Sequence, residues 1–147
     1  MKAAKILTLD SNVLVAGLQA DEPYSKKCFE LVEEVPESFV LSEPAVVYQE
    51  VCGTLARRLG KDMADRARRQ LDLMISPALL ANCDREFCTS SYGYCGDYGI
   101  YAIDALYLNA AIRRGAVLVS LDKEDFVDKV KFNHAGIEVY HVSDFPY

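Results

Sequence analysis

The chain has 147 residues, 51% apolar and 26% charged, a composition that can bury a core and excludes a disordered chain. No apolar run approaches the roughly 18 to 20 residues that span a bilayer. A net charge of −6 excludes a broad basic face for nucleic acid. It does not exclude a nucleic-acid substrate, because the cations held by a carboxylate cluster restore positive potential locally.

The length points to one domain, residues 1–147. The opening, "MKAAKILTLDSNVLVAGL", sets two lysines before an apolar run, as a signal peptide does. Asp10 and Asn12 interrupt that run and no small-residue cleavage site follows, so residues 4–10 read as a buried strand and the expected location is cytoplasmic. Residues 11–18 continue as a turn or short helix. Residues 21–35 predict a helix capped by Asp21, with Pro23 in its first turn and an apolar stripe of Cys28, Leu31, Val32 and Val35.

Residues 38–42 predict a second strand. Ser42 then caps a helix over 43–59, with Pro44 tolerated in its first turn and Gly60 at its end. Asp62 caps a helix over 63–75, with Asp65 where a capping box puts its acid. Pro77 breaks the chain, and 78–82 predict a third strand. Residues 84–99 read as helix despite Gly93, Gly96 and several hydroxyl residues, with Gly99 at the C-terminal cap. Residues 100–115 form the clearest helix, closed by Gly115. A buried strand (116–121), a short helix (123–132) and a last strand (137–142) follow. This alternation predicts an α/β fold of three layers, α/β/α, around a mostly parallel sheet.

Five cysteines, Cys28, Cys52, Cys83, Cys88 and Cys95, read as reduced thiols. "CDREFCTSSYGYC" contains no CxxC pair and has no histidine close by. On a helix, Cys88 and Cys95 would stand ~10 Å apart, too far for a disulfide.

In open α/β sheets ligands bind beyond the carboxyl ends of the strands. Asp10 leaves the first strand there, and Asp122 leaves the 116–121 strand. Glu50 lies in its helix among Val46, Val47, Gly53 and Thr54; Asp104 lies among Ile100, Tyr107 and Leu108. Both therefore face inward. Capping could account for Asp10 and Asp122, and a salt bridge to Arg57, Arg113 or Arg114 for Asp104. Neither reading accounts for Glu50 and Asp104 together, since no cation lies one turn from either. Four carboxylates in one cleft stay ionised only with a compensating cation, and oxygen-only ligands favour Mg²⁺ or Mn²⁺. Such a site suits phosphate-ester hydrolysis by a metal-activated water.

Three stretches, "ILTLDSNVLVAGL", "LSEPAVVYQEVCGTLARRL" and "YGIYAIDALYLNAAIRRGAVLVSLDKEDF", resemble the PIN-domain ribonucleases, particularly the VapC-like toxins of prokaryotic toxin–antitoxin pairs. The third is the most specific, a Gly-x-x-A-x-D-A-x-x-x-x-x-A helix followed by a strand and Ser-x-Asp. The resemblance implies a PIN-like fold and a metal-dependent endoribonuclease using Mg²⁺ or Mn²⁺ and water as nucleophile. It also implies an RNA substrate, an antitoxin partner and a homodimer. Asp10 and Asp104 match the family acids most directly tied to the metal. Glu50 matches the acid on the middle helix, and Asp122 the acid after the late strand. Asn12 and Ser120 match small polar positions that support the site.

One departure stands out. The family often has Asp-x-Asp-Phe where this chain has Asp122-Lys123-Glu124-Asp125-Phe126, so either Glu124 or Asp125 could assist. Five tyrosines between Tyr92 and Tyr107 read as core or dimer surface, with RNA stacking as the alternative. Arg57, Arg58, Arg66, Arg68, Arg69, Arg113 and Arg114 read mostly as solvated faces. Two other functions compete. One is a non-catalytic PIN-like module that binds RNA or protein. The other is a haloacid-dehalogenase-type phosphatase, whose Asp-x-Asp motif is matched only as Asp10-x-Asn12 and whose lysine motif is missing.

Overall fold

A computed structural model describes residues 3–21 and 23–147. Four parallel strands form the central sheet in the order β2-β1-β5-β6: β1 (Lys5–Leu9), β2 (Phe39–Leu41), β5 (Val117–Ser120) and β6 (Val139–His141). Leu7 of β1 stands opposite Leu41 on one side and Val117 on the other. Every residue of β5 is buried, the pattern expected where helices cover both faces of a parallel sheet. The helices are α1 (Ser11–Leu18), α2 (Ser25–Glu33), α3 (Val46–Leu59), α4 (Lys61–Met74), α5 (Arg85–Ser91), α6 (Gly93–Tyr98), α7 (Ala102–Arg114) and α8 (Asp128–Phe132). Among them, α1 and α7 pack on β1 and β5. No helix among the described residues is long and apolar enough to cross a membrane.

The predicted strand at 78–82 forms, but outside the central sheet. β4 (Leu80–Ala81) pairs in parallel with β3 (Glu43–Pro44) as a separate two-stranded ribbon. This also moves the start of the helix predicted from residue 43. Glu43 and Pro44 are extended, α3 begins at Val46 and Ser42 caps nothing. The Ser42 carbonyl instead accepts the Thr8 hydroxyl at 2.7 Å.

Asp21 does not cap α2, which starts at Ser25 after Tyr24 adopts a left-handed conformation (φ 65°). Asp62 lies inside the first turn of α4 rather than at its cap, where it still complements the positive helix end. Asp65 pairs with Lys61 at 2.8 Å instead of closing a capping box. The helix over 84–99 is divided at Tyr92 into α5 and α6. Asp84 caps α5, its carboxylate accepting the Phe87 amide at 2.9 Å. Gly115 ends α7 at φ 60° as the sequence suggests, a conformation that suits glycine. All five cysteines are free thiols.

Candidate metal centre

Asp10 stands one residue beyond β1, and its amide donates to the Val119 carbonyl at 2.9 Å. That bond extends the pairing with β5 and brings the Asp10 carboxylate to the strand end where Ser120 sits. The buried Ser120 hydroxyl donates to Asp10 Oδ2 at 2.7 Å. Asn12, in the first turn of α1, donates from Nδ2 to Asp10 Oδ2 and to Ser120 Oγ, both at 3.3 Å. Its other end, Oδ1, accepts the Leu121 amide at 3.1 Å. Ser120 Oγ in turn accepts the Asp122 amide at 3.0 Å. Asn12 and Ser120 thus tie the turn after β1 to the turn after β5, and both turns carry a carboxylate.

Asp122 also does the capping work weighed for it: its Oδ1 accepts the Asp125 amide at 3.1 Å. Residues Lys123–Val127 form a π-helical turn, a wide turn that absorbs an extra residue. Asp125 is one of the charges acting on Asp104, and it also lies 3.7 Å from the Lys129 ammonium. Glu124 is exposed and is not among the charges that act most on Asp104.

Asp104 sits in the first turn of α7, because the helix starts at Ala102 and not at Ile100. The helix expected from residue 100 thus starts two residues later, which sets Asp104 nearer its beginning. The positive end of α7 offers part of the compensation that a bare apolar face would not. It is not enough. Burial, then the negative charges of Asp10, Asp122, Glu50 and Asp125, push the Asp104 carboxyl up to about 7. Asp10, 5% exposed, is pushed up to about 6, first by burial and then by Glu50 and Asp122. The Ser120 hydroxyl and the Ser11 amide hold it down against these. None of the three arginines weighed as partners is bonded to Asp104: Arg57 is exposed in the last turn of α3. Arg113 pairs with Glu86 at 2.8 Å, and Arg114 bonds the Ala78 carbonyl at 3.0 Å.

Glu50 is half-buried on α3, and its Oε1 is buried with no hydrogen-bond partner. The structure therefore brings Asp10, Glu50, Asp104 and Asp122 within electrostatic reach of one another. In this arrangement no three His, Cys, Asp or Glu side chains among the described residues close on a single point as metal ligands. The donor chemistry nevertheless fits a hard divalent cation. All four groups are carboxylates, two are destabilised as anions by their neighbours, and one has an orphaned buried oxygen. Mg²⁺ is usually held by one or two carboxylates with several waters retained, which does not require three converging side chains.

Of two buried groups beside the site, Glu43 escaped the sequence reading and Tyr107 was read as core or dimer surface, with no place in the site. Glu43 is fully buried, and its Oε2 accepts the Leu9 amide at 2.7 Å. Tyr107 is fully buried and its hydroxyl has no partner. The only signal for Glu43 was its place two residues after Leu41, before a proline that has no amide to donate to a ladder. Of the other tyrosines, Tyr94 and Tyr98 pack on each other with ring centroids 5.5 Å apart, while Tyr92 and Tyr101 are exposed.

A family model described as the PIN domain matches residues 7–133. The chain belongs to the PIN domain family. Solved structures agree in fold. VapC20 of Mycobacterium tuberculosis, described as a sarcin-ricin loop cleaving toxin, is 15% identical with a TM-score of 0.67, over 82% of this chain and 92% of its own. VapBC2 of Rickettsia felis, solved on a DNA fragment from its promoter, is 16% identical with a TM-score of 0.65, over 92% and 98%. A toxin–antitoxin complex of Klebsiella pneumoniae is 16% identical with a TM-score of 0.61, over 83% and 89%. Comparison with curated proteins finds no match. In this PIN domain the phosphatase alternative falls away. Asn12, at the position where that reading needs a second acid, serves as a hydrogen-bond bridge between two turns.

Proposed function

We propose that this PIN domain is a divalent-metal-dependent endoribonuclease acting through Asp10, Glu50, Asp104 and Asp122. The observation that carries the reading is that Asp104, in the first turn of α7, is raised by burial and then by the charge of Asp10 at the end of β1, while Asp10 is raised by burial and then by Glu50 and Asp122. Carboxylates gathered at a strand edge against their own repulsion are accounted for by a cation. Mg²⁺ or Mn²⁺ bound here would acidify a water and neutralise charge on a phosphodiester.

The chain's own residues supply the rest. Ser120 and Asn12 hold Asp10 in one orientation. Asp122 fixes the turn that presents Asp125. The substrate class is RNA, by family membership together with the acidic, oxygen-only donor set. The structural likeness to a solved toxin–antitoxin complex supports an antitoxin protein as partner, and a cytoplasmic homodimer fits that role.

One observation favours a second reading. The absence of three converging ligands among the described residues is what a non-catalytic RNA- or protein-binding PIN domain would show. Labelled RNA incubated with purified protein and Mg²⁺ or Mn²⁺ separates the two. The nuclease reading expects internal cleavage that stops on chelation and is lost in Asp10→Asn and in Asp104→Asn. Cleavage that survives both substitutions refutes the site, and a parent protein that neither cuts RNA nor binds Mn²⁺ leaves the binding module.

A further inference from the structure

Three buried side-chain atoms among the described residues lack a hydrogen-bond partner: Glu43 Oε1, Glu50 Oε1 and the Tyr107 hydroxyl. They belong to one neighbourhood. β3, which carries Glu43, packs against α7, which carries Tyr107. Hydrogen bonding to Glu50 is among the influences on the Tyr107 phenol, although the pair falls short of good hydrogen-bond geometry. Buried polar groups left unpaired are rare and costly. A phenylalanine at 107 would fill nearly the same space without an orphaned hydroxyl.

The donor arithmetic of the three groups is complementary. An ionised carboxylate only accepts, and a phenol has one proton to give and an oxygen that also accepts. Glu43 Oε2 is already committed. The next acceptor that a parallel ladder would offer Leu9, the Ser42 carbonyl, is taken by Thr8, and Glu43 replaces it. Only Oε1 of Glu43 is left to face the phenol.

We propose that Tyr107 is a positioning residue for the metal centre, its hydroxyl donating to Glu50 Oε1 and orienting that carboxylate while Glu43 Oε1 braces the phenol oxygen from below. The inference rests on the reading of Glu50 as a metal ligand. Burial holds Glu43 well above the usual carboxylate range, so a proton on Oε1 can be given to the phenol oxygen. The string Glu43–Tyr107–Glu50 then leaves none of the three atoms unpaired. It joins the end of β1, through Leu9, to the carboxylate on α3. Partners of this kind behind metal ligands typically account for 10- to 100-fold in metal affinity.

The test is a double-mutant cycle read by Mn²⁺ calorimetry, with the melting temperature of the metal-free protein alongside. Tyr107→Phe is expected to weaken Mn²⁺ binding about tenfold or more while leaving the metal-free melting temperature unchanged or higher. In a Glu50→Gln background the same substitution is expected to add nothing, because its effect runs through Glu50. Glu43→Gln keeps an acceptor for Leu9 and a donor for the phenol, so its Mn²⁺ affinity is expected to stay close to the parent's. Mn²⁺ binding by Tyr107→Phe within twofold of the parent overturns the inference alone, as does an equal loss in the Glu50→Gln background. A parent protein that binds no Mn²⁺ overturns the metal reading, and the inference with it.

Discussion

The Ser120 hydroxyl donates to Asp10 Oδ2 at 2.7 Å across 110 residues of sequence. The bond exists because β1 and β5 are neighbouring parallel strands whose ends lie side by side. Ser120 is fully buried and also bonds Asn12 and the Asp122 amide, so one hydroxyl organises both acidic turns.

Ser120→Ala is therefore expected to act on stability and on the site together. It leaves Asn12, the Asp122 amide and Asp10 each one partner short, a loss of roughly 1 to 3 kcal/mol. It also removes the bond that holds the Asp10 carboxyl down, so Asp10 takes up a proton at higher pH. Mn²⁺ affinity is expected to fall by about 10- to 100-fold. Thermal melts and Mn²⁺ calorimetry at two pH values check both effects. A fall in melting temperature with unchanged, pH-independent metal binding would separate the hydroxyl from the site.

The raised carboxyls set a pH dependence whose sign follows directly. In the folded chain Asp10 keeps its proton up to about 6 and Asp104 up to about 7, whereas the unfolded chain loses both near 3.8, the usual aspartate value. Between those limits the folded state binds more protons, so the stability associated with the neutral forms is lost as pH rises through 6 and 7. For Asp10 alone the full change, spread from pH 3.8 to about 6, is about 3 kcal/mol, or roughly 6 to 12 °C in melting temperature, and about half of it falls above pH 5. The metal-free protein is expected to melt lower at pH 8 than at pH 5, and Mg²⁺ or Mn²⁺ to restore the difference mainly at pH 8. Melting curves in chelator and in excess cation measure this. Asp104→Asn should flatten the pH slope.

The strand ends and the gathering of the four acids were legible because each left a one-dimensional mark. Asp10 and Asp122 follow apolar strands, and Asp104 breaks an apolar helix face. What stayed hidden depended on pairing across the chain. Glu43 looks like the first residue of a helix until Leu9 is seen to need an acceptor that Ser42 no longer provides. β3 and β4 are two residues each, too short for any periodicity, and only their mutual pairing defines them. The Asp21 cap failed because Tyr24 turns the backbone left-handed just before α2, which local propensity does not anticipate for tyrosine.

The extra residue after Asp122 gives a sharp contrast between two neighbouring acids. The π-helical turn presents Asp125 to Asp104 and leaves Glu124 in solvent. Asp125→Asn is expected to lower the pH at which Asp104 releases its proton and to change Mn²⁺ affinity severalfold. Glu124→Gln should leave both within about twofold, as surface substitutions away from such features do. Calorimetry on the two variants decides it, and equal effects would mean that the turn does not choose between them.

Asn109 tests the opposite side of α7, where polar burial serves packing and not the acids. It is 3% exposed, and its amide reaches Ser91 Oγ at 2.8 Å, Ser90 Oγ at 3.1 Å and the Phe87 carbonyl at 3.4 Å. These bonds fasten α5 to α7 around a small cluster of Phe87, Leu106 and Ala110. Asn109→Ala is expected to cost roughly 1 to 3 kcal/mol. Ser91 is partly protected, because its hydroxyl still donates to the Phe87 carbonyl at 2.6 Å. None of the four site acids bonds this cluster, so Mn²⁺ affinity and RNA cleavage below the lowered melting temperature should match the parent. Urea unfolding gives the stability change and cleavage at 20 to 25 °C below the melting point gives the other half. A variant that folds stably but has lost metal binding would show that α5 takes part in building the site.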